Sequence, residues 1–342
     1  MRTWWILLPI LAACSGNTDH GSQADVTQTA PPAAEKGLQP LDGRTIVCYN
    51  VENLFDTEDD PATDDADFLP TGSLAWDTER YQTKLEQLAD AISWAGSGAP
   101  PLVGLVEVEN RKVVEDLART GALKAAGYVV VHHDSPDERG IDVALLVHPE
   151  YAQVIADRAL NVPLEGDRTR DVLYTELRLA GNERIHVFVN HWPSRRDGEK
   201  SVPKRMAAAN VVRNQVDAVL KKDPQAWILV MGDFNDTPND PSVQQGLRAA
   251  CDTRAEADLF DLMCMDQPQG HGSYNYQGEW SYLDQMIVSR AFLGNVVGAK
   301  AFWDDRLLFR HPRYGRSPDK TYSGRDYKGG YSDHLPVILQ MK

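Results

Sequence analysis

Two side chains suited to chemistry stand two positions apart after an apolar run in the middle of the chain. The run covers residues 227–231 and is typical of a buried central strand, and Asp233 and Asn235 follow it. Because side chains alternate along an extended chain, the carboxylate and the carboxamide are expected on one face. Turn-forming residues come next, at 236–241. A strand followed by an ordinary turn would show the same pattern, so the rest of the chain has to decide.

Polar and charged residues stand at the ends of several other predicted strands in the same way. The set is Asn50, Glu52, Glu107, Asn190, His191, Asp233, Asn235, Asp284, Asp333 and His334. Packing could explain one of them, but buried carboxylates are costly without a partner. A hard divalent cation bound through oxygen atoms is an economical partner for the acids. The pattern therefore predicts a metal-assisted site where strands meet loops.

The elements that must position these residues form a mixed pattern. Apolar residues at helical spacing predict helices at 79–94, 113–126 and 206–220. Apolar or alternating runs predict strands at 46–49, 102–109, 128–132, 141–147, 173–179, 184–191, 227–231 and 282–288, with a last strand after 333–334. Strands are often adjacent and no fixed-period repeat occurs, which favours a sheet-rich α/β domain over a regular βαβ series.

Composition limits the kinds of partner. The 342 residues carry a formal charge of −15 with a pI near 5.0, enough chain for one large domain or two small ones. An acidic chain does not coat itself in nucleic acid non-specifically. A polyanionic substrate must be attracted by local basic segments or by a bound metal ion.

The N-terminus predicts export. Arg2 precedes a short apolar stretch, and Leu11-Ala-Ala-Cys14 resembles a bacterial lipobox. We expect a signal peptide at 1–13, a lipidated Cys14 with a flexible tether at 14–42, and one domain at 43–342. Ser15 after the cysteine favours the outer membrane, at its periplasmic face or the cell surface. The alternative is a simple secretory signal with an incidental cysteine.

Two further features leave alternatives open. Cys251 and Cys264 flank a short segment and could pair in an oxidising compartment or remain free. Residues 56–67 carry seven carboxylates. They could hold a structural Ca²⁺ ion, although the regular spacing of a calcium-binding loop is absent, or form a solvated acidic loop.

Seven ordered motifs together resemble those of the endonuclease/exonuclease/phosphatase superfamily, from about residue 44 to the C-terminus. The family includes deoxyribonucleases, abasic-site endonucleases, inositol polyphosphate phosphatases and neutral sphingomyelinases. The resemblance implies a four-layer α/β sandwich, with two packed mixed β-sheets flanked by helices, and cleavage of a phosphoester with Mg²⁺ or Mn²⁺. The motifs are Tyr49-Asn-Val-Glu-Asn-Leu-Phe55, Val106-Glu-Val-Glu109, Arg139-Gly-Ile-Asp-Val-Ala144, Asn190-His-Trp-Pro-Ser194, Gly232-Asp-Phe-Asn235, Leu283-Asp-Gln285 and Ser332-Asp-His-Leu-Pro336.

The resemblance also implies a metal site and a general base. Glu107 would bind the metal ion, helped by Asn50, Asp333 and Glu52. The ion would neutralise phosphate oxygens and the leaving group. Asp233 would position the attacking water and take its proton.

Four other residues of the motifs would act on the phosphate. Asn235 would orient the water and a phosphate oxygen. His334 would donate to the phosphate, with Asp284 bonded to its other ring nitrogen. His191 corresponds to the second histidine of the deoxyribonuclease-like branch and is a candidate acid beside the leaving oxygen.

Arg139 would bind the phosphate through its guanidinium, and Asn190 and Arg195 are also assigned to substrate binding. The alternative for Asn190, as for Glu109 and Asp142, is to hold the reacting groups in place.

The motifs resemble most the bacterial extracellular nuclease-like branch, which favours a DNA or RNA substrate and, we expect, a monomer. Two basic segments, 195–205 and 306–328, would bind the backbone, and Tyr314, Tyr322 and Tyr327 would stack on bases. One alternative is a phosphatase or phosphodiesterase acting on small phosphoesters or lipid headgroups. A second is a non-catalytic surface binding module, against which the complete set of motifs argues.

Overall fold

A computed structural model describes residues 37–264 and 270–342. The predicted signal peptide, Cys14 and most of the predicted tether lie outside these residues. Within these described residues there are four α-helices, namely α1 Thr78–Gly96, α2 Arg111–Ala118, α3 Val202–Lys222 and α4 Arg290–Leu293. The strands are β1 Thr45–Leu54, β2 Leu102–Val108, β3 Val129–His132, β4 Asp142–Val147, β5 Gln153–Leu160, β6 Val172–Arg178, β7 Arg184–His191, β8 Trp227–Asp233, β9 Ala249–Ala250, β10 Leu259–Asp261, β11 Tyr274–Tyr276, β12 Glu279–Ser281, β13 Asp284–Ser289, β14 Val296–Ala301, β15 Leu308–His311, β16 Gly315–Pro318, β17 Tyr322–Ser323, β18 Asp326–Tyr327 and β19 Val337–Met341.

Two mixed sheets carry most of these strands. The first has six strands in the order β14-β19-β1-β2-β4-β3, and the second has seven in the order β5-β6-β7-β8-β13-β10-β9. The pairs β1–β2 and β7–β8 are parallel, whereas β19 pairs antiparallel with β1 and β13 antiparallel with β8. The carboxyl ends of β1, β2, β7 and β8 therefore lie at the same edges as the amino ends of β13 and β19.

The sheets pack face to face, and alternation along each strand supplies both faces. Ile46 and Cys48 of β1 point into the layer between the sheets, where they join Met231 of β8. Val47 and Tyr49 point to the other face, which α1 and α2 cover. The helix α3 covers the outer face of the second sheet. The predicted four-layer α/β sandwich is confirmed.

The helix predictions hold with shifted ends. The side chain of Asp77 caps α1 by accepting from the backbone N–H of Arg80. The helix predicted for 113–126 is divided, since α2 ends at Ala118 and a 3₁₀ helix, Gly121–Ala126, follows. Gly121, the first residue of the 3₁₀ helix, has a φ of +50°, a conformation that glycine adopts without strain.

Several strands were not predicted. Most residues of β5 and β14 are exposed or half-buried, because each lies at the edge of its sheet. An edge strand lacks the apolar run by which a central strand is recognised. The basic segment 306–328 contains two small hairpins, β15–β16 and β17–β18.

Cys251 and Cys264 form a disulfide. Within the acidic stretch, Asp56 and Asp65 are buried, so the stretch is not uniformly solvated. Asp56 accepts from the ammonium group of Lys112 and from the backbone N–H of Glu58. No helix in the described part of the chain is long and apolar enough to cross a membrane.

Candidate active site

The predicted residues meet at the edge where the strand ends converge. Asp233, the last residue of β8, pairs in register with His191 of β7 and with Asp284 of β13. Asn50 lies near the carboxyl end of β1, and His334 precedes β19. Strand register, not loop geometry, therefore fixes the relative positions of the central groups.

The carboxylate of Asp233 is the centre of the arrangement. Its Oδ2 accepts from Asn50 Nδ2 at 3.1 Å and from Asn235 Nδ2 at 3.5 Å. The Nε2 atoms of His334 and His191 lie 3.8 and 3.9 Å from the same oxygen. Its Oδ1 accepts from the backbone N–H of Asn235 at 2.8 Å. Burial raises the pKa of Asp233 to about 7, with the charge of His334 opposing the rise and that of Asp284 adding to it.

The two histidines have opposite charge preferences. His334 Nδ1 lies 2.7 Å from Asp284 Oδ2. Burial alone would lower the pKa of His334, but the charges of Asp284 and Asp233 outweigh it and raise the pKa well above its usual value. Burial lowers the pKa of His191 well below its usual value, and the nearby charges of Arg170 and Arg139 lower it further. At neutral pH the site thus pairs a charged His334 with a neutral His191.

Glu107 occupies a bulge in β2. Its neighbours Val106 and Val108 pair with consecutive residues of β4, so Glu107 is the extra residue. Its φ is +68°, in the left-handed region. The bulge directs its carboxylate to the site, where Oε1 lies 3.6 Å from His191 Nε2 and Oε2 accepts from the backbone N–H of Asn53 at 3.0 Å.

Gly232 allows β7 and β8 to approach each other beside these groups. Its φ is +136°, and an added Cβ would lie 2.1 Å from the carbonyl oxygen of Asn190. A side chain at this position would therefore force Asp233 out of place.

The predicted metal ligands are oxygen donors, and the charges of neighbouring acids raise the pKa of two of them. Asn50 Oδ1 accepts from the backbone N–H of Glu52 at 3.1 Å. Burial and the charge of Asp333 raise the pKa of Glu52 to about 7. Burial and the charge of Glu107 raise the pKa of Asp333, although His334 opposes the rise. Oxygen donors of this kind suit a hard divalent cation, whose charge would offset this repulsion. The carboxylates of Glu52, Glu107 and Asp333 do not, however, all lie within 4.8 Å of one another.

Glu52 also has a structural contact. Its two carboxylate oxygens accept from the backbone N–H groups of Thr321 at 2.6 Å and Tyr322 at 3.3 Å. It therefore fastens the C-terminal segment to β1, and its role as a metal ligand stays a prediction.

A second cluster lies on neighbouring strands. In residues 37–264 and 270–342, the single group of three His, Cys, Asp or Glu side chains whose ligand atoms approach within 4.8 Å of one another is His132, Asp134 and Asp142. His132 Nε2 bonds to Asp142 Oδ2 at 3.1 Å, and Asp142 Oδ1 accepts from the backbone N–H of Ser135 at 2.9 Å. Asp142 thus holds the loop that carries Arg139. The acidic stretch 56–67 contains no such group, and its Ca²⁺ ion stays a prediction.

The three residues assigned to the substrate differ in what they contact. Asn190 is buried, donates to the carbonyl of Met231 and accepts from Trp192 Nε1, which supports its alternative as a positioning residue. Arg139 is half-exposed, with Nε 3.6 Å from Asp137. Arg195 donates to the carbonyl of Asn235 and to the carboxylates of Asp236 and Asp240, so its guanidinium is bonded to the loop after β8.

The sequence analysis did not predict two buried cations at the site, Arg170 and Lys84. Arg170 donates to Asp137 Oδ2 at 3.0 Å and to the carbonyl of Trp192 at 2.9 Å, the same carbonyl that accepts from Asn235. Lys84 of α1 donates to Thr321 Oγ1 and to the carbonyl of Tyr331. Burial lowers the pKa of Lys84 to about 8, although Glu52 and other acids oppose the shift. Each stood alone in a stretch with no motif, so the sequence offered no signal.

Several cations and aromatic rings of the two basic segments already have partners within the chain, so they are less available to a substrate than the sequence suggests. In 195–205, Arg195, Lys204 and Arg205 form ion pairs with acids of the chain. Tyr322 packs on Trp76, and Tyr327 lies under the guanidinium of Arg80, so neither ring is available to stack on a base as predicted.

Comparison with known proteins identifies the family. The Endonuclease/Exonuclease/phosphatase family matches residues 45–342, and the chain belongs to it. It is a phosphoric ester hydrolase, of a family whose enzymes typically depend on a divalent metal ion. No curated protein sequence matches the chain.

Solved structures share its fold. A truncated Caenorhabditis elegans TDP2 is 16% identical, with 88% of this chain and 98% of that one covered and a TM-score of 0.56. A mannosyl-6-phosphatase from Bacteroides thetaiotaomicron is 16% identical, with 87% and 99% covered and a TM-score of 0.53. An endonuclease/exonuclease/phosphatase family protein from the same organism is 14% identical, with 87% and 96% covered and a TM-score of 0.53.

Proposed function

We propose that this hydrolase is a metal-dependent phosphodiesterase that cleaves DNA or RNA. The observation that carries the proposal is the environment of Asp233. A carboxylate with a pKa near 7 lies between a charged His334 and a neutral His191, beside the carboxylate of Glu107. A base of this pKa can take a proton at neutral pH, and a charged imidazole can stabilise a negative phosphate oxygen.

Each central residue has one task in this reaction. Asp233 takes the proton of the attacking water. The side-chain amides of Asn50 and Asn235 donate to Oδ2 of Asp233 and hold this carboxylate oxygen in place. His334 donates from Nε2 to a phosphate oxygen, because its Nδ1 is bonded to Asp284. His191 is neutral, so it can donate a hydrogen bond to the leaving oxygen, whereas the transfer of a proton from it would need the charged imidazole.

Glu107, Asp333, Asn50 and Glu52 would hold the metal ion. When bound, Mg²⁺ or Mn²⁺ supplies positive charge to the phosphate oxygens and the leaving group. Arg139 would add a guanidinium on the other side of the phosphate.

A polymeric substrate is favoured by the cations that remain at the edge of the site. Arg196 is exposed and acts electrostatically on Tyr274, whose ring packs on His334 with centroids 4.8 Å apart. Lys320 acts in the same way on Asp333. Two cations near the reacting group suit a backbone that carries a phosphate at every residue.

A small phosphoester or lipid headgroup is the second candidate. It is supported by the ion pairs that engage three of the five cations in 195–205, and by the similarity to the Bacteroides thetaiotaomicron mannosyl-6-phosphatase.

The first experiment measures hydrolysis of plasmid DNA, RNA, a p-nitrophenyl diester and a p-nitrophenyl monoester with Mg²⁺, Mn²⁺, Ca²⁺ or EDTA. We expect diester cleavage with Mg²⁺ or Mn²⁺ and almost none in EDTA. Glu107→Gln should lose nearly all activity while keeping its circular dichroism spectrum. Full turnover in EDTA, or by Glu107→Gln, would contradict the metal-dependent reaction.

The second experiment separates polymer from small ester. Replacing Arg196 and Lys200 by Gln should raise KM for DNA and flatten its salt dependence, by about 0.9 in log–log slope per lost duplex contact. Arg254→Gln is the matched control, since this exposed arginine pairs with Asp252. Hydrolysis of the p-nitrophenyl diester should not change. A wild type that cleaves monoesters and neither nucleic acid would support the second candidate.

We propose also that Cys14 carries a lipid that anchors a monomeric enzyme to the outer membrane. The support is the order of charged, apolar and small residues before Cys14. Cys14→Ser should move the protein from the detergent phase to the aqueous phase, or leave it unprocessed. Wild type in the aqueous phase would contradict the anchor, and light scattering would test the monomer.

A further inference from the structure

We propose that a cavity adjoining Asp333 is a subsite that stacks and holds a nucleobase of the substrate beside the phosphate that is cleaved. The inference rests on the proposed nuclease function and adds a specificity site to it. Residues of the β11–β12 and β15–β16 hairpins and of the segment after them line the cavity.

The cavity and the reacting centre share a wall. The cavity has a volume of about 680 Å³, within the range of small-molecule sites, and Asp333 and Tyr274 are among its lining residues. Asp333 directly precedes His334, and the ring of Tyr274 packs on the imidazole of His334. A group in the cavity would therefore be attached close to a phosphate held at Asp233.

Exposed aromatic rings line this cavity. Tyr276 is 63% exposed and Phe309 is 49% exposed, and both lie in the wall of the cavity. Tyr314 also lines it and stacks on His311, with centroids 4.7 Å apart. Exposed rings in a concave surface mark a ligand site, and a flat ring is the partner that a nucleobase stacks on.

A cation in the wall matches the backbone to which a base is attached. Lys320 lines the cavity and forms no ion pair in the part of the chain that the structure describes, so it is free to bind a neighbouring phosphate.

These features together favour a base over an acyl chain, which would use the rings and leave the Lys320 ammonium without a partner. A sugar would meet the polar side chains of the wall, and an abasic oligomer, which keeps the sugar and lacks the base, separates these two occupants. A base attached to a phosphate backbone uses both the rings and the ammonium group.

The test compares two oligonucleotides of equal length and charge, one of thymidines and one of abasic residues, with Tyr276→Ala/Phe309→Ala as the variant. Both side chains are exposed, so the fold should not change. Wild type should cleave the thymidine oligomer with a kcat/KM at least about 10-fold higher, within the range of base–aromatic stacking. The double variant should lose this preference and keep its rate on the abasic oligomer and on methyl p-nitrophenyl phosphate. Ile155→Ala, an exposed residue on the edge strand β5, is the control.

A second measurement does not depend on turnover. An oligonucleotide containing 2-aminopurine should lose fluorescence on binding wild type in EDTA, because stacking quenches it, and should lose much less with the double variant.

The outcomes are distinct. Equal cleavage of both oligomers by wild type would overturn the subsite and leave the nuclease function intact. An equal loss on both oligomers in the double variant would also overturn it, since the rings would then support the site itself. Hydrolysis of small esters with no cleavage of either oligomer would overturn the nuclease function and the subsite with it.

Discussion

Asp233 and Asp284 are paired in register on the neighbouring antiparallel strands β8 and β13, so two buried carboxylates stand opposite each other. Like charges in this relationship destabilise a sheet. The imidazole of His334 compensates, with Nδ1 2.7 Å from Asp284 and Nε2 3.8 Å from Asp233. The proton on His334 is thus required by the sheet as well as by the reaction.

Asp284→Asn should lower the pKa of His334 toward its usual range, because one of the two charges that retain the proton is lost. The rate should fall by about 10- to 100-fold, as for other residues that orient a reacting group. NMR titration of the histidines in EDTA measures the first effect and kcat the second. Asp305→Asn, at an exposed acid, is the control. A His334 pKa that does not change would contradict this account.

Arg170→Met should reduce both stability and activity. It removes the buried cation that donates to Asp137 Oδ2 and one of the two donors to the carbonyl of Trp192, and removing one partner of a buried pair costs about 3–5 kcal/mol. Denaturant unfolding measures the loss. Arg170→Met/Asp137→Asn should recover part of the stability but not the rate, because the Trp192 carbonyl, which also holds Asn235, still lacks one of its two donors. Recovery of both would limit Arg170 to a structural role.

Gly232→Ala should destabilise the protein by about 3 kcal/mol or more and abolish activity, since the new Cβ would lie 2.1 Å from a backbone oxygen. Gly298→Ala is the matched control within a strand, because an added Cβ there has no atom of the described residues within 4 Å. Its unfolding free energy should stay within about 0.5 kcal/mol of wild type. A stable, active Gly232→Ala would refute the close approach of β7 and β8.

The buried carboxyl group of Asp261, away from the candidate active site, should make the free energy of unfolding depend on pH. Burial raises its pKa to about 7, and only its Oδ1 has a hydrogen-bond partner in the described residues, the backbone N–H of Met263. Because the folded pKa is raised, the folded state binds the proton more tightly. The stabilisation is complete below the unfolded pKa of about 3.9 and is lost as the pH rises through about 7.

Asp261→Asn keeps the bond to Met263 and cannot ionise. It should match wild type at about pH 4 and be more stable by up to about 4 kcal/mol at about pH 8. Denaturant unfolding of both proteins across this range gives the difference. A constant difference between them would contradict the raised pKa.

The sequence predicted what depends on short-range patterns. Runs such as 227–231 identify central strands because those strands are buried on both faces, and the polar residues after them converge because parallel strands end at one edge. Arg170 and Lys84 could not be found in this way, since their partners are distant in the sequence. The ion pairs of Arg195 depend on how the loop after β8 folds back, which no spacing reveals. The edge strands β5 and β14 have too little burial to leave a pattern.

The hairpins that line the cavity also have a consequence for how such a chain can diversify. Ala301 and Val337 are register partners on β14 and β19. The chain therefore leaves the first sheet after Ala301 and returns to it at the residue directly opposite, Val337. The closure free energy of a loop changes slowly with its length. Homologous segments of other lengths could therefore be grafted between these two residues, provided that Asp333 and His334 are kept and the contacts of Glu52 and Lys84 are rebuilt. The other groups around Asp233 come from strands outside the graft, so such a chimera would exchange selectivity while inheriting the reaction.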